Sequence, residues 1–219
     1  IAEMIGVPAA MICCGAASGL TVATAACVTR GDDEKLRKLP DTSGMPDEVI
    51  VQKSHRFGFD TQIWAVGTKP VEVETRQELE KAINERTAMM FFLNVGDPKG
   101  QIKRDEWIEV ARKHNIPTMN DCASDVPPVA RLREYVDQGF DLVVFSGGKG
   151  LIGPQASGLV LGQPELVAAA QKAISPRGGI GRGMKVGKEE IMGLVAAVER
   201  YHRIDHGAEN DPGVGSRDL

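Results

Sequence analysis

Short apolar runs punctuate this chain at 9–13, 49–51, 71–73, 88–93, 116–119, 141–145 and 159–161, and amphipathic stretches lie between them. Strands covered by helices on both faces read as continuous apolar runs rather than as alternating ones, so the pattern specifies an α/β domain with a buried, largely parallel sheet. Helices are expected over 18–28, 103–114, 129–138, 164–174 and 188–202. Thr75-Arg76-Gln77-Glu78 is a capping box that opens another, running to about Asn84. The last helix places Ile191, Leu194, Val195, Val198 and Tyr201 on one face. The stretch 54–68 carries no clear signal.

The 219 residues are 42% hydrophobic, enough for a substantial core. Lys and Arg number 26 against 30 Asp and Glu, a net charge of -4 that favours neither nucleic acid nor an anionic membrane. No run approaches the ~18 apolar residues of a membrane span, and Glu3 stands where a signal sequence would be basic. Cys13, Cys14, Cys27 and Cys122 lack zinc spacing and read as small buried hydrophobes of a reducing compartment, so a cytoplasmic location and no metal are expected. The chain opens on Ile1, inside what reads as a helix end, and turns polar and glycine-rich past Asp205. A large domain over 1–205, lacking an N-terminal segment, and a polar tail or truncated linker over 206–219 are therefore expected.

In open α/β sheets ligands sit beyond the carboxyl ends of the strands. Four polar or glycine-rich elements follow strands here: Gly15-Ala16-Ala17-Ser18, Asn94-Val95-Gly96, Asp121-Cys122-Ala123 and Ser146-Gly147-Gly148-Lys149. Lys149, between glycines, is either a solvated loop lysine or an amine aimed into a pocket, where partial burial would make it a nucleophile or base. A Walker loop fails, because Val143 stands where its first glycine belongs and Gly150 where Ser or Thr is needed. Asp121 closes a strand and suits either a heteroaromatic nitrogen or an Asx turn, while Asp125 reads as structural. Gly15 to Ser18 offers helix-start amides to a phosphate, or simply caps an Ala-rich helix; it does not match GxGxxG. His55 is either a core histidine or a group that stacks on a flat cofactor or shuttles protons. Arg182, Lys185 and Lys188 form a basic ladder that either meets an anion or solvates a loop.

The segment Asp141-Leu142-Val143-Val144-Phe145-Ser146-Gly147-Gly148-Lys149-Gly150-Leu151-Ile152-Gly153-Pro154-Gln155, with Asp121 upstream, resembles the bacterial selenocysteine synthase family and its relatives, D-glucosaminate-6-phosphate ammonia-lyase among them. The resemblance runs from about Ile1 to about His202. It implies the large domain of the aspartate-aminotransferase-like, fold-type I pyridoxal-phosphate enzymes, a three-layer α/β/α fold on a mostly parallel sheet. It casts Lys149 as the Schiff-base lysine, Asp121 as the partner of the pyridine nitrogen and Ala123 as the small residue against the ring. Gly15, Ala16, Ala17, Ser18 and Ser146 would hold the cofactor phosphate, and Asn94 would lie near the cofactor's 3′-oxygen. His55 would stack on the ring or face the substrate as a catalytic group, and Arg182 would bind substrate.

The implied activity is a lyase that removes a β-substituent and ammonia from an amino acid or a phosphorylated amino sugar acid. A selenium transferase acting on seryl-tRNA is the alternative, disfavoured by the acidic charge. A catalytically inactive fragment or scaffold is the other, opposed by the presence of both Lys149 and Asp121. The resemblance further implies an anionic small-molecule amino substrate and a homodimer or higher homo-oligomer with its site at the interface. No membrane partner is expected.

Overall fold

The computed structural model describes residues 1–203. Its strands are β1 Ala9–Cys13, β2 Glu48–Gln52, β3 Lys69–Val73, β4 Thr87–Leu93, β5 Thr118–Asp121, β6 Leu142–Ser146 and β7 Gly158–Gly162. They form one seven-stranded sheet in the order β1-β7-β6-β5-β4-β2-β3. The pairs β2–β3, β2–β4, β4–β5 and β5–β6 are parallel, and β7 runs antiparallel to both its neighbours, β1 and β6. The carboxyl ends of β1, β2, β4, β5 and β6 therefore share one edge, which is the geometry that the sequence pattern demands of a ligand site. The expected polar tail over 206–219 lies outside the described residues.

The helices are α1 Ala2–Ile5, α2 Ala16–Thr29, α3 Asp33–Lys38, α4 Thr61–Trp64, α5 Arg76–Ala82, α6 Arg104–Lys113, α7 Arg131–Gln138, α8 Pro164–Lys172 and α9 Lys188–Arg203. The buried strand residues divide between two cores. Met11, Val49, Phe91, Met119, Val144 and Val160 pack with α2 and α8, and Ile50, Met90, Phe92, Val143 and Leu161 pack with α6, α7 and α9. A sheet buried on both faces explains why β4, Thr87–Leu93, is buried at every position.

Helix α2 is buried from Ser18 to Thr29, which its lack of charged residues and its many small ones allow. A Cβ at Gly19 would stand 2.9 Å from Val144 Cγ1 and 3.2 Å from Val160 Cγ2, so α2 seats against the middle of the sheet through that glycine. The capping box at α5 forms as expected: Glu78 N–H donates to Thr75 Oγ1 at 3.2 Å and Thr75 N–H to Glu78 Oε2 at 3.2 Å. On α9, Leu194, Ala197, Val198 and Tyr201 are buried, while Ile191 and Val195 are only half-buried. Three of the four free cysteines, Cys13, Cys27 and Cys122, are buried, and burial pushes the Cys13 thiol up to about 11 and that of Cys27 up to about 12.

Two local readings change. The unassigned stretch 54–68 contains the end of a short 3₁₀ turn, Lys53–His55, and then α4. Strand β5 runs two residues further than its apolar run, because Asn120 and Asp121 pair with Phe92 and Leu93 of β4 and with Val143 and Val144 of β6. Pairing with two buried strands holds these polar residues extended where hydropathy alone gives a loop.

Candidate active site

Sheet register fixes the relative positions of the candidate residues. Asp121, the last residue of β5, lies level with Leu93, Val144, Val160 and Met11. One pleat further along, Ser146 of β6 lies level with Gly158 and Cys13. With neighbouring strands ~4.8 Å apart and two residues spanning ~6.6 Å, the Cα atoms of Asp121 and Ser146 are about 8 Å apart. Both belong to the α2 face, since Met119 and Val144 of the same parity pack there.

The start of α2 closes this corner. Gly15 has φ 121 and gives α2 no side-chain cap, and Gly19 is the first amide of the turn to find a backbone carbonyl, Gly15 at 3.1 Å. The amides of Ala16, Ala17 and Ser18 thus remain orphan donors at the positive end of a 14-residue helix, an anion site in waiting. Gly158 lets them sit against the sheet: a Cβ there would stand 2.6 Å from the carbonyl carbon of Gly15 and 2.9 Å from the nitrogen of Ala16. Nothing lies within 4 Å of the Cβ direction at Gly15, so the outer side of the turn is open. The Ser18 hydroxyl is otherwise engaged, donating to Gly15 O at 2.8 Å, so Ser18 offers its amide rather than its side chain.

Asp121 is 5% exposed. Its Oδ1 accepts the Ala123 N–H at 2.9 Å, an Asx turn that aims the carboxylate along the strand end. Burial raises its carboxyl to about 6, with the charge of Asp125 adding to the rise and the Ala123 amide and the Lys149 ammonium opposing it. A buried carboxylate in that condition lacks a cation, and a protonated pyridine nitrogen supplies one. Lys149 is exposed, three residues past the end of β6, and its charge acts on both Asp121 and Asp125.

The glycines around Lys149 are packing requirements rather than slack. A Cβ at Gly147 would meet Ser157 Oγ at 2.1 Å, one at Gly148 the Cα of Gln155 at 2.7 Å, and one at Gly150 the carbonyl oxygen of Val126 at 2.1 Å. Residue types alone do not reveal this packing, nor do they point to Ser157, which is buried and donates to Pro154 O at 2.5 Å.

Arg182 is exposed, and its Nη1 donates to Ser175 Oγ at 3.2 Å. It follows Gly181, whose Cβ position lies 2.7 Å from Val22 of α2, so the basic segment leaves the core on the same face as Asp121. Lys185 and Lys188 are also exposed.

Two expected positions are used differently. His55 is 0% exposed. Its ring meets Phe92 edge-on with centroids 4.4 Å apart, its Nδ1 accepts the Leu93 N–H at 3.3 Å, and Gln52 Nε2 lies 3.3 Å from its Nε2. Burial lowers its pKa to about 4, against an opposing bond to the Gly96 backbone, so the ring is neutral and pinned under the 94–100 loop instead of standing free to stack or to shuttle protons. Asn94 donates from Nδ2 to Asp125 Oδ1 at 2.9 Å and to Tyr135 Oη at 3.0 Å, and its Oδ1 accepts from Asn120 Nδ2 at 3.3 Å. One residue past Leu93, which is level with Asp121, Asn94 falls on the opposite face of the sheet, so its amide is not presented beside the Asp121 carboxylate.

These residues fit pyridoxal phosphate: a buried carboxylate at Asp121, orphan helix amides at the start of α2 on the same face of the sheet, a hydroxyl at Ser146 and an amine at Lys149. A cavity of about 150 Å³ at the opposite edge, lined by Arg30, Arg112 and Asp141 among others, lies where α2 and α6 end, and its arginines complement helix carboxyl termini.

The profile of the L-seryl-tRNA selenium transferase family, SelA, matches residues 60–213. The chain is 34% identical over 199 residues to D-glucosaminate-6-phosphate ammonia lyase of Salmonella typhimurium, covering 86% of this chain and 52% of that protein. It is 36% identical over 215 residues to 5'-C-glycyluridine monooxygenase-decarboxylase of a Streptomyces species, covering 92% and 52%. The solved structure of D-glucosaminate-6-phosphate ammonia-lyase superposes with a TM-score of 0.83 at 33% identity, over 96% of this chain and 60% of that one. The chain spans about half the length of the curated relatives it matches. It has the mixed α/β, mostly parallel fold of the fold-type I pyridoxal-phosphate superfamily, and it belongs to the SelA-like family that includes these ammonia-lyases.

Proposed function

We propose that the protein of which this chain is a part is a pyridoxal-phosphate-dependent lyase that removes a β-substituent and ammonia from an anionic amino acid, of the phosphorylated amino sugar acid class, leaving a 2-oxo product. The observation that carries the cofactor reading is the place of Asp121: a carboxyl only 5% exposed at the end of β5, with its acidity lowered by burial and the Lys149 charge acting on it. Likeness to an ammonia-lyase in sequence and in fold supports the choice of reaction.

The placement of these residues supports the following roles. Asp121 holds the proton of the ring nitrogen by accepting it as a charged hydrogen bond, which in turn relieves the carboxylate of its uncompensated burial. The amides of Ala16, Ala17 and Ser18 and the Ser146 hydroxyl bind the phosphate. Ala123, half-buried beside Asp121, leaves room for the ring. Pyridoxal phosphate, when bound, supplies an electron sink for the pair left at the substrate's α-carbon. Lys149 would hold the cofactor through Nζ, and the same amine is the group that would move a proton at the substrate's α-carbon. Arg182, with Lys185 nearby, receives the anionic groups of the substrate.

A homo-oligomer with its site at the subunit interface belongs to the same reading. Phe59, Val95 and Ile152, on loops that follow β2, β4 and β6, are 65%, 54% and 67% exposed and give that edge an apolar rim for a second copy. A cytoplasmic location accompanies it; among the described residues no helix is long and apolar enough to cross a membrane.

The test is an absorbance spectrum of the protein with pyridoxal phosphate, repeated after borohydride and with Lys149→Ala. A visible band, fixed to the protein by reduction and missing in the variant, is expected, followed by ammonia release from phosphorylated amino sugar acids. No band, in this chain and in a longer protein containing it, overturns the cofactor reading. Retention of seryl-tRNA on a filter, which the net charge of -4 opposes, would replace the lyase with the transferase.

A further inference from the structure

The Asn94 amide spends both its donors and its carbonyl inside the protein, and what it holds is the segment between Asp121 and the lysine loop. Asp125, 9% exposed, receives the Asn94 bond on Oδ1, has no partner on Oδ2, and makes no ion pair among the described residues. Its own amide donates to Cys122 O at 3.1 Å, and Arg131 Nη1 from α7 donates to its carbonyl at 2.7 Å. The next residue, Val126, presents the carbonyl oxygen against which Gly150 packs, directly after Lys149. Asp121 begins this segment, fixed by its Asx turn and by the Cys122 N–H bond to Val144 O at 2.9 Å. Asn94 in turn is tied to β5 through Asn120 and to α7 through Tyr135.

We infer that Asn94 and Asp125 are a pair of positioning residues, which brace the 121–126 segment from the far face of the sheet and so set the placement of Asp121 against Lys149. That role needs no contact with the cofactor, since the Asn94 side-chain atoms are engaged within the protein. The inference rests on the pyridoxal-phosphate reading of the site and assigns Asn94 a role other than that of a ligand to a cofactor oxygen. A buried carboxylate held by a single amide, with its second oxygen left over, is a poor source of stability and a good source of register.

A double-mutant cycle tests it, with pyridoxal phosphate affinity and the pH midpoint of the visible band as readouts. Asn94→Ala and Asp125→Ala are each expected to weaken cofactor binding about tenfold, the effect of one charge-assisted hydrogen bond. The double variant is expected to weaken it about tenfold as well, not the roughly hundredfold of independent ligands. Both single variants move the pH midpoint, which a loss of general stability would leave in place. Asn94→Asp, which sets two carboxylates face to face, is rescued by adding Asp125→Asn, since the bond reforms with its direction reversed; this arm serves if the alanine variants do not fold. An additive cycle, no rescue in the swap, or loss of binding in Asn94→Ala with Asp125→Ala unchanged overturns the inference. Absence of cofactor uptake by the wild type overturns the functional reading itself, a separate result from uptake that the variants leave unaltered.

Discussion

Asp121→Asn separates a functional carboxylate from a structural one by the sign of its effect. In the cofactor-free protein burial lifts Asp121 from the ordinary 3.8 to about 6. Each unit is worth ~1.36 kcal/mol, so the folded state carries a penalty of about 3 kcal/mol once the group is ionised in both states. The folded protein binds this proton more tightly than the unfolded one does, so the contribution to stability falls as pH rises from 3.8 to 6 and is level above. Asparagine keeps an oxygen for the Ala123 amide and removes the charge. In urea unfolding without cofactor, Asp121→Asn is expected to be more stable than wild type by about 3 kcal/mol near pH ~7.5 and by only about 1 kcal/mol near pH ~4.5. Saturating pyridoxal phosphate reverses the order, because only the wild type gains the charged bond to the ring nitrogen and with it the larger binding stabilisation. A variant less stable than wild type at neutral pH, or an offset that does not change with pH, refutes the argument.

His55 acts in the opposite sense over nearly the same range. Its pKa falls from 6.5 to about 4 on folding, so the unfolded state binds more protons in that window and stability is lost as pH drops through it. The two contributions largely cancel in the wild type; the acid loss of up to about 3 kcal/mol emerges in Asp121→Asn and disappears again when His55→Gln is added, read as the slope of unfolding free energy against pH. Gly158→Ala forces a methyl to within 2.6 Å of Gly15, and is expected to weaken pyridoxal phosphate binding by more than tenfold in a spectroscopic titration. Thr75→Ala removes the α5 capping box, lowers unfolding free energy by about 1 kcal/mol and leaves cofactor affinity unchanged, which makes it the control for the others.

The sheet was legible because its strands are buried on both faces and therefore continuous in hydropathy, as Thr87–Leu93 shows. The reversal of β7 was not, since Gly158–Gly162 reads the same in either direction and its sense is set by pairing with β1 and β6. Among site residues, Lys149 and Asp121 were legible from type and place at strand ends. The amides of Gly15 to Ser18 were legible as a helix start, but the Ser18 hydroxyl turning back to Gly15 depends on a local geometry that no residue type encodes.

Asn94 shows where such reading stops. Loop position after a strand says that a residue lies at the ligand edge, and it is silent about which face of the sheet it takes. That face is a matter of parity, and parity at a strand end is fixed by register with the neighbour: Leu93 pairs with Asp121, so Asn94 must fall opposite. The two polar residues that end β5 follow the same rule, Asp121 toward α2 and Asn120 toward α7, where Asn94 meets it. A single step along the backbone thus divides one polar cluster into two, a carboxylate on the cofactor side and a brace behind it. The same step explains why residues as similar as Asp121 and Asp125 take different work: one ends a strand on the open face, and the other is returned by its loop to the closed one.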